Sequence, residues 1–223
     1  MKTKQPDITR TKILTAAFKE IHRCGFQAAS INNILADTGL TKGALYHHFP
    51  NKHALGLAVL DEVIRVQLEN DICAPLENSN NPIDTLLQVL QQLIGKFDEE
   101  QTKLGCPFNN LMQEMSPLDE TFRTHLTSTL TRLQRTIASS LQQAKQRGQL
   151  KADINPESVA LFVVATYTGS IGIAKSLQSV KTFQTAMQQL MEYVRSLKLV
   201  VSQTEKYGQL FNYSSRVSAP YYL

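Results

Sequence analysis

Thr41, Lys42, Tyr46, His47, His48 and Lys52 crowd six hydrogen-bond donors, two of them cationic, into one short stretch of the chain. The chemistry open to such a set is donation to a polyanion. Hydroxyl, phenol and ammonium groups suit phosphate oxygens, and an imidazole or ammonium can reach a base edge. Thr41, Lys42 and Tyr46 are therefore assigned to phosphate, and His47 is the expected base reader, with Lys42 as the second candidate. Gly43 among them costs a helix about 1 kcal/mol relative to alanine and needs a reason, which close approach of the backbone to a partner supplies. Lys52 adds a cation to the positive end of a following helix, a second place for a phosphate. The alternative, that Tyr46 and the histidines are ordinary surface residues of a small bundle, leaves this local clustering unexplained. A metal site of His47, His48 and His53 lacks an adjacent acidic or thiol ligand and is not expected.

These donors are positioned by two short helices and a tight turn. Ser30 is an N-cap candidate and joins the DNA-facing set, Ile31, Ile34 and Leu35 recur at helical spacing, and Gly39 supplies a residue able to take positive φ where the helix stops. Leu40 plugs the turn. Thr41 caps the second helix, whose Ala44, Leu45 and Phe49 make an apolar stripe while Lys42, Tyr46, His47 and His48 fall largely on other faces. A helix over 8–24 precedes them, with Ile13, Leu14, Ala17, Phe18 and Ile21 inside and Gly25 ending it. Arg10 and Lys4 either extend the contact as an arm on phosphate or minor groove, or belong to a solvated N-terminus.

Helical periodicity continues and no convincing strand alternation occurs, so the fold class is all-α with about nine helices. The fourth, over 52–73, carries Leu55, Ala58, Val59, Glu62, Val63 and Val66 and is long enough to bridge two domains. Further helices are expected over 82–102, 108–115, 119–147, 156–177 and 182–202, and residues 203–223 are expected to be loosely held. The domain division is 1–50 for DNA binding, 51–202 for effector binding and dimerisation, then the tail.

The chain of 223 residues has a net charge of +4, and residues 1–60 hold eight Lys or Arg against three Asp or Glu, a local net of +5. A basic first segment on a near-neutral remainder fits a nucleic-acid-facing module attached to a body with another task. The N-terminus lacks the apolar core of a signal peptide and no apolar run reaches membrane-spanning length, so a cytoplasmic protein without membrane contact is expected. Cys24, Cys73 and Cys106 are odd in number and form no CxxC, which points to free thiols. Neither GxSxG, HExxH, a Gly-rich phosphate loop nor paired carboxylates in a recognisable setting occurs, so no enzyme, catalytic residue, cofactor or metal is expected. An enzyme is thus the weaker-supported main alternative, and a small-molecule carrier without a DNA function is the second. Such a carrier would not need the basic first 60 residues.

Over about residues 7–67 the chain resembles the TetR family of bacterial transcriptional regulators. The likeness rests on Gly25, Phe26, Ser30, Ile31, Ile34, Ala36, Gly39, Thr41, Lys42, Gly43, Leu45, Tyr46, His48, Phe49, Lys52 and Leu55. The 148–160 segment, GQLKADINPESVA, is similar to the family's entry into its dimer-forming helices, and the Gly105-Cys106 break resembles a branch that senses electrophiles or oxidants. The resemblance implies a homodimer on a palindromic double-stranded DNA operator, most commonly a repressor released by a small-molecule effector. Two helix-turn-helix units would then sit about 34 Å apart. The eighth and ninth helices are the expected interface. One is apolar nearly all round, with Thr166, Gly169, Ser170 and Gly172 allowing close approach; the other offers Met187, Leu190, Met191, Val194 and Leu197.

The resemblance also implies a pocket enclosed by the fourth to eighth helices. Its candidates are Phe97, Phe108, Met112, Phe122, Leu126, Phe162, Thr166 and Tyr167, all equally compatible with plain core. Few charges fall on these faces, which implies a mainly apolar ligand with one or two polar handles. Cys106 stands before Pro107 at a helix N-cap, a position that favours thiolate. Lys103 and Lys175 would add to that if they approach, and Glu99 and Glu100 oppose it. A sensor thiol and an inert buried one both remain open.

Overall fold

A computed structural model describes residues 8–199. Lys4, the 203–223 tail and the end expected for the last helix lie outside the described residues. Among the described residues ten helices follow one another: α1 Ile8–Cys24, α2 Ile31–Thr38, α3 Lys42–His48, α4 over 52–77, α5 Pro82–Lys96, α6 Glu99–Leu104, α7 Pro107–Met115, α8 Glu120–Gln146, α9 Pro156–Leu177 and α10 Val180–Ser196. One isolated antiparallel bridge, Leu150 to Lys198, ties the α8–α9 connection to the end of α10.

The tenth helix arises because the expected 82–102 helix is two. Phe97 leaves the helix with φ −91° and ψ 106°, and Asp98 starts α6 by accepting the Gln101 amide at 2.8 Å. The break lets the Phe97 ring meet Phe183, with centroids 4.0 Å apart. α4 departs from the expected pattern as well. It contains two π-helical turns, Leu60–Ile64 and Glu69–Cys73, in which the Arg65 and Ala74 amides reach back five residues to the Leu60 and Glu69 carbonyls. Wider turns keep a row at i, i+4 on one face. Leu55, Val59, Leu60, Ile64, Ile72, Cys73 and Leu76 are buried, whereas Val66 is exposed.

Two cores result. One holds α1 to α3 and the first half of α4, and takes in Phe108, Leu111 and Met115 of α7 and Phe122 and Leu126 of α8. The other joins α5, α8, α9 and α10 to the second half of α4. Packing around the helix-turn-helix therefore does not end at residue 50. α9 corrects a further expectation, since among the described residues it alone has the length and composition that would suffice to cross a membrane. Its apolarity is divided between two faces. Val159, Ala160, Val163, Val164, Ile171 and Ala174 enter the core, while Leu161, Phe162, Ile173 and Leu177 are exposed.

Candidate nucleic-acid interface

α2 stops where Gly39 takes φ +67°, its amide bonding the Leu35 carbonyl at 2.9 Å. Leu40 turns half-buried against the core, and Thr41 begins α3 as its Oγ accepts the Ala44 amide at 3.2 Å. The Thr41 hydroxyl proton stays available to a phosphate. Leu45 and Phe49, 0% and 3% exposed, root α3 in the core. Thr41, Lys42, Gly43, Tyr46 and His47 are exposed together on the other side, as the sequence predicts. His48 is half-buried, edge-on to the His47 ring at 5.3 Å and near Phe49. A Cβ at Gly43 would meet nothing closer than Thr41 Oγ at 3.8 Å, so the space that this glycine leaves is open to a partner.

Three other residues have partners that the sequence does not show. The Ser30 hydroxyl makes no cap bond; instead the Ser30 amide donates to Glu20 Oε1 at 3.3 Å. The Lys52 ammonium donates to the Gln27 carbonyl at 2.9 Å and lies 5.0 Å over the Phe26 ring, so it fastens α4 to the α1–α2 turn. Arg10 is neither a free arm nor merely solvated. It pairs with Glu62 of α4 and lies 4.9 Å over the Phe49 ring. All three partners are distant in sequence, beyond the reach of local pattern.

Glu20 was not foreseen. It is a buried acid on α1 that binds Arg23 at 2.6 Å and Asn33 of α2 at 2.8 Å. Burial alone would raise its pKa, but the bonds from Arg23, Asn33 and the Ser30 amide outweigh that and hold the carboxyl below its ordinary range. The carboxylate thereby fixes the angle between the first two helices.

A cavity of about 230 Å³ lies among α4, α5, α6, α9 and the start of α7. Of the predicted effector residues, Phe97, Cys106, Phe108 and Tyr167 line it. The others do not. Phe122 and Leu126 are fully buried in the core beneath the helix-turn-helix, and Met112 packs against that core. Phe162 is 46% exposed on the outside of α9, with its ring 4.8 Å from Tyr193. Thr166 is half-buried on α9 outside the lining. Sequence reasoning missed the polar rim, where Gln67 and Gln101 flank an Asp71–Lys96 ion pair of 2.8 Å. Ile64, Leu68, Ile72, Leu93 and Ile171 complete an apolar floor.

Cys106 is the N-cap residue of α7, as predicted, but its thiol caps nothing. Burial pushes the thiol pKa up and outweighs the Asn109 and Phe108 amides, reversing the expected lowering. Lys103 is exposed, while the Lys175 stem packs beside Gly105. Burial likewise raises the Tyr167 phenol well above its ordinary range, with Cys106 and Asp71 adding to it. Among the described residues no three His, Cys, Asp or Glu side chains converge as a metal site. His53 instead pairs with Asp119 at 2.9 Å.

Residues 13–59 match the family described as "Bacterial regulatory proteins, tetR family", and residues 82–190 match "Tetracyclin repressor-like, C-terminal domain". A curated relative, an uncharacterized HTH-type transcriptional regulator in the lacX 3' region of Lactococcus lactis subsp. lactis, is 30% identical over 177 residues, which cover 79% of this chain and 88% of the relative. The HTH-type transcriptional repressor DhaR of Mycobacterium sp. (strain GP1) is 27% identical, covering 66% of this chain and 72% of that one. The crystal structure of a TetR transcriptional regulator from Chloroflexus aurantiacus J-10-FL superposes with a TM-score of 0.77 at 25% identity, covering 86% of this chain and 97% of that one. With its helix-turn-helix geometry, all-helical body and these relatives, the chain belongs to the TetR family and is a DNA-binding transcriptional regulator.

Proposed function

We propose that the protein is a cytoplasmic, dimeric repressor whose α3 enters the major groove of a palindromic operator and which a small, mainly apolar molecule releases. The observation that carries this reading is the open face of α3, where Thr41, Lys42, Tyr46 and His47 stand exposed around Gly43 while Leu45 and Phe49 are buried. Lys42→Ala is expected to weaken binding about equally on all sequences and to flatten the salt dependence by about one unit per protomer. His47→Ala is expected to cost about 1–3 kcal/mol and to relax preference at one base pair of each half-site. Titrations against duplexes selected from a random pool, with each half-site position varied, check both. Uniform loss for both variants would remove His47 as the base reader.

Regulators of this family bind operators as dimers and answer to small effectors. For this chain the uncovered face of α9 is the proposed interface. Leu161, Phe162, Ala165, Gly169, Gly172, Ile173 and Leu177 are all exposed there, and a Cβ at Gly169 or Gly172 would meet nothing within 4 Å. Each mid-helix glycine costs about 1 kcal/mol relative to alanine, a sacrifice that makes sense where a second helix comes close. The α10 stripe expected to share this task, Met187, Leu190, Met191, Val194 and Leu197, is buried in the protomer's own core. α10 instead offers Tyr193, beside Phe162.

The cavity supports a ligand with an apolar body against Ile64, Leu68, Ile72 and Phe108 and a polar group near Gln67, Gln101 and the Asp71–Lys96 pair. Its occupation would move α4, which carries three of those apolar residues and begins directly after α3. Coupling of this kind is worth about 1–3 kcal/mol, or about 5- to 150-fold in affinity. The raised pKa of Cys106 favours ligand release over release through a reactive thiolate. Cys106→Ser is accordingly expected to bind operator like the wild type and to lose as much of that binding as the wild type does under mild alkylation. Protection of the operator complex by this substitution alone would restore the sensor role.

A further inference from the structure

Besides Lys52 of α4 and Phe122 of α8, a carboxylate of α7 holds the turn between α1 and α2. Glu114, in the last turn of α7, accepts the Phe26 amide through Oε2 and the Gln27 amide through Oε1, each at 2.8 Å. Gly25 makes room for it: φ is +83°, and a Cβ there would lie 2.8 Å from Oε2. An acid near a helix C-terminus is opposed by the helix dipole, so Glu114 is placed at some cost to α7 itself. The other end of α7 opens on the cavity, which Pro107 and Phe108 line. Just before it, the Gly105 carbonyl accepts from the buried His22 ring of α1 at 2.7 Å. A nine-residue helix thus touches the DNA-binding unit at both ends and the cavity at one.

We propose that Glu114 is the positioning residue through which the cavity governs the DNA-reading unit. An occupant pressing on Pro107 and Phe108 displaces α7, and the two charge-assisted bonds from Glu114 carry residues 25–27, and with them α1 and α2, along with it. This route runs through α7 beside the one through α4, and it rests on the cavity being the effector site.

Leu93→Trp places a permanent occupant in the cavity, with Leu93→Phe as the substitute if melting shows that tryptophan impairs folding. Two quantities are measured on the full chain with and without Glu114→Gln, which keeps the side-chain shape but leaves one carbonyl acceptor. They are amide hydrogen exchange at Phe26 and Gln27, and affinity for a duplex selected from a random pool. In the wild-type background the filled cavity should speed both amides and weaken DNA binding, each by about tenfold. In the Glu114→Gln background the amides should already exchange fast, DNA binding alone should stay within about threefold of wild type, and filling should cost less than about threefold. If filling weakens DNA binding equally in both backgrounds and leaves the two amides unchanged, Glu114 is no relay although the cavity remains the effector site. If filling alters neither quantity in a folded dimer, the effector reading fails and the proposal falls with it.

Discussion

Phe122→Ala should cost about 3–5 kcal/mol and lower the melting temperature by roughly 6–20 °C. Phe122 is 0% exposed, and its ring stands 4.8 Å from Phe26 and 5.3 Å, edge-on, from His53. Directly beneath, α4 carries Gly56, where a Cβ would lie 2.3 Å from Phe26 and 2.9 Å from Phe122. The glycine exists so that the two rings can meet, one from the α1–α2 turn and one from α8. Truncation leaves a void at the joint between the DNA-binding unit and the body, and neighbours so tightly packed relax only in part. Chemical denaturation followed by circular dichroism measures the cost. A loss under about 1 kcal/mol would mean that Phe122 lines a space already empty, as the sequence-based assignment to the effector site had it.

Ile173→Asp should leave the protomer folded and abolish the dimer. Ile173 is 56% exposed on a face that runs from Leu161 to Leu177 without a charge other than the half-buried Lys175. In a two-fold arrangement the same patch meets itself, so each new carboxylate would be buried near its mate without a partner. Sedimentation at micromolar concentration should give the mass of one chain. Operator affinity should fall by about a hundredfold or more, the contribution of joining two half-site contacts. An unchanged circular dichroism spectrum separates this from unfolding. A variant that still sediments as a dimer would remove α9 from the interface.

What the sequence discloses here follows the range of the interactions involved. α1 to α3 are legible because their determinants are local: Gly39 at its positive φ, Thr41 capping Ala44, and Leu45 and Phe49 within one helix. The partners of Lys52, Arg10 and Asp71 lie 25 or more residues away and follow no local periodicity. α9 shows the same limit differently. Phe162 and Tyr167 are five residues apart, roughly 140° around a helix, so they cannot share a narrow face. In a helix apolar on nearly every side, composition does not say which face meets the cavity; Tyr167 does and Phe162 does not. The position of Cys106 at a helix N-cap was readable, but its burial, which reverses the pKa, is a property of the tertiary packing.

Two copies of this chain should grip a two-fold DNA site through the donors around α3. Fluorescence anisotropy titration of a selected palindromic duplex, repeated from about 50 mM to about 200 mM salt, tests it most directly. The expected result is two protomers per duplex and an affinity that falls by about a hundredfold over that range. Binding by one protomer, or an affinity indifferent to salt, would contradict it.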